Sequence, residues 1–498
     1  MGKLKKPDHK SYEKIITAFR KSKKGLTISD VSAHTGLPLY QVKELVPVAA
    51  DEYSARLVVT ETSEILYSFP HGMKSRYRGI GPTSKRFFSG FARVSGAALA
   101  ALFKAWIMVM LIGYFLLFMA LALASVVVSV SANSGSRGRR GRGGTVSTGL
   151  FNTILRLWFY SELFGSGRSR SGSWQGRRKA GGRPLHRAIF SFVFGEEDPN
   201  RDSDMVEKKA FIAYLRGNRG VVSLPELMAL NGISLQDASE RIGSYCLEFS
   251  GTPEITEGGT LVYRFDEILM SAESSAEGKF STSLGSISSS LRKKLRVFSS
   301  NPKNMNIWFI LINGVNLLFG AYFLRNASVI GDLALAGAGL EKVPQIYGVA
   351  YYVLARLGAV PLPAIRLFLG IVPLAFSLLF WAIPAIRSFW LSRENKKLRL
   401  ANYRSLGFGR IWENPDIFKP ADFSPTMDEC LQDAPESAGT GLVKEIGSYS
   451  TPEVALDDRR NEVYSFPGLR REKDALDRYR QLMQPASSPG KAIFDSGD

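Results

Sequence analysis

Cysteine is scarce in this chain: Cys246 and Cys430 are the two in 498 residues. Two thiols in separate sections exclude a disulfide framework and lack the spacing of a zinc or cluster site, so a reduced setting is expected. Histidine is equally thin, and His9, His34, His71 and His186 show no metal-ligand spacing. Neither a phosphate-binding loop nor a nucleophile motif occurs. The sequence therefore predicts no catalytic residue, no metal and no cofactor, and the chain is not expected to be an enzyme. No apolar run precedes about residue 97, behind the polar start MGKLKKPDHK, so no cleavable secretory signal is expected. Acid is nearly missing from 71–195, where Glu162 alone stands against 19 Lys and Arg. That stretch carries +18 of the chain's +19, and the remainder is close to neutral.

Three long runs lack charge altogether. Ala105 to Ala132 holds 28 uncharged residues, more than the roughly 20 that cross a bilayer. Asn304 to Leu324 holds 21 between Lys303 and Arg325, and Leu367 to Ile386 holds 20 between Arg366 and Arg387. The spacing predicts transmembrane helices over 304–324 and 367–386, and a single span or a hairpin over 97–132. Lys293, Lys294, Arg296 and Lys303 precede the second run, while Arg387, Arg393, Lys396, Lys397 and Arg399 follow the third. The positive-inside bias puts both flanks in the cytoplasm of a bacterial inner membrane and makes 325–366 an extracytoplasmic or re-entrant connection. Tyr347, Tyr351 and Tyr352 in that connection suit a membrane interface. Asn313 and Asn316 share one helix face, where an amide can bond to a neighbouring helix. No acidic residue or histidine lies in these runs, which speaks against a transport pathway.

Residues 133–187 form a Gly/Arg/Ser-rich basic linker, with 148–165 patterned as an amphipathic surface helix. Arg137, Arg139, Arg140, Arg142, Arg177, Arg178 and Lys179 are its candidates for contact with anionic lipid or nucleic acid. The simpler reading is a disordered linker whose charge anchors topology.

The polar sections rewrite one short strand: SEILYSFP at 63–70, GTLVYRFD at 259–266 and NEVYSFP at 461–467. Ahead of the first, Tyr12, Ile15, Ile16 and Phe19 mark an amphipathic helix. Thr27 to Asp30 is a capping-box pattern. Leu39, Val42, Leu45 and Val46 line a third helix that Pro47 is expected to disturb. The second section follows the same order, with Phe211, Tyr214 and Leu215, a cap at Ser223 to Glu226, another at Ser234 to Asp237, and a hairpin turning at Gly258-Gly259. The third section echoes the hairpin, but its opening helices are hard to find. Three helices closed by a hairpin is a winged-helix arrangement. The predicted class is thus an α-helical integral membrane protein with α+β winged-helix-like modules: two full, at 8–72 and 188–272, and a degenerate one at 420–470 before a tail, 471–498. Tyr67 and Phe69, Tyr263 and Phe265, and Tyr464 and Phe466 should pack into the module cores. The third helices carry Lys43, Arg241 and Lys444 among more numerous acids, too few cations for phosphate contact. Lys14, Arg20, Lys21, Lys23 and Lys24 are the strongest argument the other way.

The run FSFVFGEEDPN, with Phe190, Phe192, Phe194, Gly195, Asp198, Pro199 and Asn200, resembles an uncharacterised family of cyanobacterial and chloroplast membrane proteins in which this motif precedes a similar soluble domain. The order of polar domain, span, basic linker, motif, second domain and paired spans is similar too. Some plant members carry an iron-sulfur cluster biosynthesis label, but Cys246 and Cys430 cannot by themselves supply a scaffold's thiolates. The motif itself reads as a short apolar element docked on the membrane or under the second module, followed by a turn at Asp198-Pro199. The functional expectation is a membrane-anchored scaffold or adaptor that presents winged-helix-like interaction modules to a cytoplasmic protein. Its lipid partner is the bilayer, and the alternative is a membrane-tethered DNA-binding regulator.

Overall fold

The computed structural model describes residues 9–22, 25–70, 72–73, 102–133, 184–272, 284, 291–335, 343–420, 423, 438–483 and 490–496. The predicted amphipathic helix 148–165, the linker cations Arg137 to Lys179, and Cys430 lie outside those residues.

In chain order the elements begin with α1 (His9–Lys21), α2 (Ile28–Thr35), α3 (Leu39–Tyr53), β1 (Arg56–Thr60) and β2 (Ile65–Ser68). An apolar helix α4 (Leu102–Ser129) follows, then α5 (Leu185–Phe194). Next come α6 (Ser203–Gly217), β3 (Val221–Val222), α7 (Leu224–Asn231), α8 (Leu235–Phe249), β4 (Thr252–Ile255) and β5 (Leu261–Arg264). The remainder is α9 (Lys303–Leu335), α10 (Gln345–Arg356), α11 (Pro361–Glu413), α12 (Ala438–Gly447), β6 (Glu453–Leu456), β7 (Glu462–Ser465), α13 (Pro467–Leu482) and β8 (Ala492–Asp495). Two compact units divide them: one takes 84–197 and 296–393, the other 1–83, 198–295 and 394–498.

The first of these units contains the apolar helices. Among the described residues three helices are long and apolar enough to cross a membrane, at Leu102–Ser129, Lys303–Ile330 and Pro361–Glu413, where the uncharged runs predicted them. Two contain a widened π turn, at Val109–Gly113 and Ile365–Ile371. Such a turn frees a backbone carbonyl that lipid cannot satisfy. Asn316 Nδ2 donates to Leu111 O at 2.8 Å, inside the first π turn, and Asn313 Nδ2 donates to Ser377 O at 3.0 Å. The predicted use of these amides in helix packing therefore holds. Glycine sets the closest approach of α9 to α11: a Cβ on Gly320 would stand 3.0 Å from Leu374 N, and one on Gly370 3.1 Å from Leu324 Cα. Within 325–366, α10 buries Tyr347 and Ala350 against Phe323 and Ala327 of α9. Tyr351 and Tyr352 stay exposed.

The other unit is built from the polar sections. α1 to α3 enclose Ile15, Phe19, Val31, Val42 and Val46 under the β1–β2 hairpin. Leu26 bridges to Tyr67, so a short extended piece between α1 and α2 adds to the hairpin edge. From Ser203 the order is the same: β3 pairs with β5, Val222 facing Tyr263. In the third section Phe418 bridges to Tyr464. Each hairpin tyrosine thus faces a residue that follows the section's first helix. Phe265 and Phe466 are fully buried, Tyr67 is buried and Phe69 packs beside it.

Four expectations are corrected. α3 runs through Pro47 to Tyr53, because Ala49, Ala50 and Tyr53 continue its buried face and compensate the one missing amide. The opening helix of the third section is the end of α11, where Tyr403, Leu406, Phe408 and Ile411 share a core with Leu442 and Ile446 of α12. Residues 188–197 are not the front of the second module, since α5 packs with the apolar helices and the polar section starts at Asp198. Nor is 471–498 a tail: α13 buries Leu469, Glu472, Ala475 and Leu476, and β8 pairs antiparallel with β1. Arg56 clamps that pairing through both oxygens of Asp495, at 2.7 and 2.6 Å.

Candidate functional site

The capping boxes do more than end helices. Thr27 and Asp30 close both halves of the box at α2, satisfying amides that helix geometry leaves open. Asp30 is also fully buried, and its carboxylate accepts from Ser271 Oγ at 2.6 Å, Ala272 N at 2.9 Å and Arg216 Nη2 at 3.1 Å. Around it Ser29 Oγ donates to Ile268 O at 2.8 Å, and Arg216 Nε donates to the same carbonyl at 3.0 Å. At α7 the corresponding acid, Glu226, accepts from Ser223 N at 3.0 Å, from the Tyr214 hydroxyl at 2.8 Å and from Arg480 Nη2 at 2.7 Å. Arg219 Nη1 then caps α13 by donating to the carbonyls of Arg480, Gln481 and Met483. In both places an acid three residues past the N-cap receives an arginine from the next section. Breaking such a buried pair by removing one partner costs about 3–5 kcal/mol.

A third buried acid, Glu472, accepts from the Tyr449 hydroxyl at 3.0 and 2.9 Å. Burial raises its carboxyl to about 7.

A groove of about 700 Å³ opens along α1. It is lined by Lys10, Glu13, Lys14, Thr17, Ala18 and Lys21, with His34 and Thr35 of α2 and Met205 and Lys209 of α6. The α1 members recur every three or four residues and so form one helix face, opposite the core face of Ile15 and Phe19. Gly36, at φ +71°, allows α6 to approach, since a Cβ there would lie 3.1 Å from Met205 O and 3.6 Å from Lys209 Cγ. Burial, then the Lys14 and Lys21 charges, lower the pKa of the Lys209 amine.

The motif residues divide between two roles. Phe192 packs edge-on to Phe309 and beside Phe380, and the Phe190 ring lies tilted against Phe194. Gly195, at φ +89°, leaves room for the Arg387 guanidinium, which a Cβ would overlap. Arg387 donates to Phe192 O at 2.8 Å and Ser191 O at 3.3 Å, capping α5, and lies over the Phe298 ring at 4.3 Å. Asp198 Oδ1 accepts from Asn200 N at 3.0 Å, the expected turn. Asn200 also pairs with both backbone groups of Lys294, donating at 2.7 Å and accepting at 2.9 Å. Asn402 treats Lys293 the same way, at 2.8 and 2.9 Å. The extended 293–294 backbone is therefore held by two asparagines that stand in for neighbouring strands. Among the described residues no group of three or more His, Cys, Asp and Glu is placed to hold a metal.

The fused joints and the groove were not predicted. Lys14 and Lys21 stood out as a local basic cluster, but nothing local tied them to Lys209.

The chain is 24% identical over 416 residues to a protein of Arabidopsis thaliana described as uncharacterised and chloroplastic, covering 79% of this chain and 71% of that one. No family model matches the chain, and no solved structure matches it. The likeness is consistent with the chloroplast-type resemblance carried by the Phe190 to Asn200 motif, and it extends over most of the chain.

Proposed function

We propose that the chain is a membrane-anchored scaffold whose three polar sections are winged-helix-like modules fused into one interaction body. The helix, edge piece, two helices and hairpin at α1–β2 and at α6–β5 support the winged-helix reading, as do the Tyr67, Tyr263 and Tyr464 pairings. The anchor is the set of three apolar helices, in a bacterial cytoplasmic membrane with the modules on the cytoplasmic side.

One observation carries the choice of protein over DNA: the exposed faces of α3 and α8 offer apolar, acidic and neutral polar side chains, with Lys43 as their one exposed cation. α8 shows solvent Gln236, Asp237, Ser239, Glu240, Gly243, Ser244 and an 83% exposed Leu247. On α3, Tyr40 and Val48 are exposed, and Lys43 is already paired with Glu267 at 2.8 Å. A groove-reading helix needs cations there, whereas exposed aromatic and aliphatic anchors suit a protein interface.

The test is affinity purification of the full chain from solubilised membranes. One stoichiometric protein should co-purify with the parent chain and with Ser244→Gln, and be lost with Leu247→Glu. A salt-dependent shift of duplex DNA that Leu247→Glu leaves intact would instead establish the membrane-tethered regulator, the reading favoured by the lysines of α1.

A further inference from the structure

We infer that the groove between α1, α2 and α6 is a binding site for a compact, multiply charged phosphate group, borne either by a soluble metabolite or by a lipid headgroup. The inference does not depend on the scaffold reading. Lys10, Lys14, Lys21 and Lys209 converge on the groove from two helices. Lys10 and Lys21 are eleven residues apart, so the ammonium groups spread over about 16 Å of helix axis. Among the described residues no carboxylate lies within ion-pairing distance of Lys14, Lys21 or Lys209. Lys209 is half-buried with its stem against Gly36, so the fold holds a desolvated cation in the groove wall and leaves its charge unanswered.

The lining also says what kind of anion fits. Thr17 Oγ1 donates to Glu13 O at 2.7 Å and Thr35 Oγ1 donates to Val31 O at 2.6 Å, which commits both hydroxyl protons to their own helices. Beside Ser22 and His34, the charged donors of the lining are ammonium groups, which recognise charge rather than a fixed planar shape. The groove lining contains no Phe, Tyr or Trp, and His34 is its single ring. Successive nucleobases would find one ring at most to stack on, which disfavours single-stranded nucleic acid. The volume lies within the range of small-molecule sites. A compact, phosphate-dense ligand matches the cluster of ammonium groups and the volume.

The experiment uses the full chain in nanodiscs of phosphatidylcholine, titrated calorimetrically with inorganic tripolyphosphate at low and moderate salt. A second arm incorporates phosphatidic acid in the disc and repeats the titration. Saturable binding that weakens with salt is expected. The triple variant Lys14→Gln, Lys21→Gln, Lys209→Gln should lower affinity at least tenfold. Lys444→Gln, Arg459→Gln, Lys491→Gln, which removes three exposed cations elsewhere in the same polar unit, should change it less than twofold. If phosphatidic acid competes with tripolyphosphate, the headgroup is the source; if it does not, the ligand is soluble. Absence of saturable binding in the phosphatidylcholine arm, or equal loss in the two triple variants, overturns the inference. Amine labelling of Lys209 gives an independent readout on the parent chain: it should slow when tripolyphosphate is present, and an unchanged rate counts against the site.

Discussion

Replacing Asp30 by alanine should open the joint between the first two polar sections. The carboxylate has no solvent exposure and accepts four bonds, from Thr27 N, Ser271 Oγ, Ala272 N and Arg216 Nη2. Its loss removes half of a capping box, worth about 1 kcal/mol. It also strands Arg216, whose side chain is 8% exposed, and an uncompensated buried charge of this kind costs about 3–5 kcal/mol. These contributions overlap, so a total of about 3–5 kcal/mol is expected. Hydrogen exchange on the full chain in detergent is the suitable assay, because it reports local opening without requiring reversible global unfolding. At about 1.4 kcal/mol per decade, amides of α2 and Ala272 should exchange roughly 10²- to 4 × 10³-fold faster. Amides of α9 should be unchanged. The control is Lys43→Ala, which removes an exposed pair, Lys43 with Glu267, half-exposed on both sides; it should shift exchange by no more than about 1 kcal/mol. If Asp30→Ala raises exchange at α2 less than threefold, or no more than Lys43→Ala does, the joint does not hold the sections together.

Glu472 should give the polar unit a pH dependence of unusual sign. The fold raises its carboxyl from 4.5 to about 7, so the folded state favours the protonated form. That contribution is complete below about pH 4.5 and is lost as pH rises through 7, a change of about 3 kcal/mol. Glu472→Gln should flatten this part of the stability profile and raise the melting temperature at pH 8; an unchanged profile would refute the assignment. Two glycines should respond in opposite directions to alanine. Gly232, at φ +64°, faces the Ala401 carbonyl, which a Cβ would overlap, so Gly232→Ala should cost more than about 1 kcal/mol. Gly243, inside α8 with open space around it, should gain about 0.5–1 kcal/mol as alanine. Thermal unfolding of the two variants side by side checks the sign.

The parts legible in the sequence are those with a local signature. Each uncharged run coincides with an apolar helix, because a long stretch without charge has few other uses. Thr27 to Asp30 and Ser234 to Asp237 cap helices as their spacing demanded. What escaped notice depends on partners far along the chain. β8 is four residues long and acquires meaning only beside β1, more than 430 residues earlier. α13 did carry a signal, since Leu469, Glu472, Ala475, Leu476 and Tyr479 recur at helical spacing behind Pro467, but an acid inside an apolar stripe hides it. The extended 293–294 segment has no pattern of its own, and Asn200 and Asn402 supply its hydrogen bonds.

The two carboxylates that cap α2 and α7 explain why the polar sections behave as one body rather than as beads on a string. A capping acid is normally half-wet, and its worth ends with its own helix. Here each is buried by the following section, and burial of a charge is tolerable only when a cation arrives with it. Arg216 and Arg480 are those cations, so each section completes the electrostatics of the one before. A fragment that ends near residue 75 would expose Asp30 to water and leave it an ordinary cap. One that covers only 200–272 would strand Arg216 and lack Arg480 for Glu226. The third section cannot stand apart either, because its first helix is the end of α11 and its core includes Phe408 and Ile411. The three polar sections are therefore held in a fixed arrangement by their joints as much as by the core of any one of them.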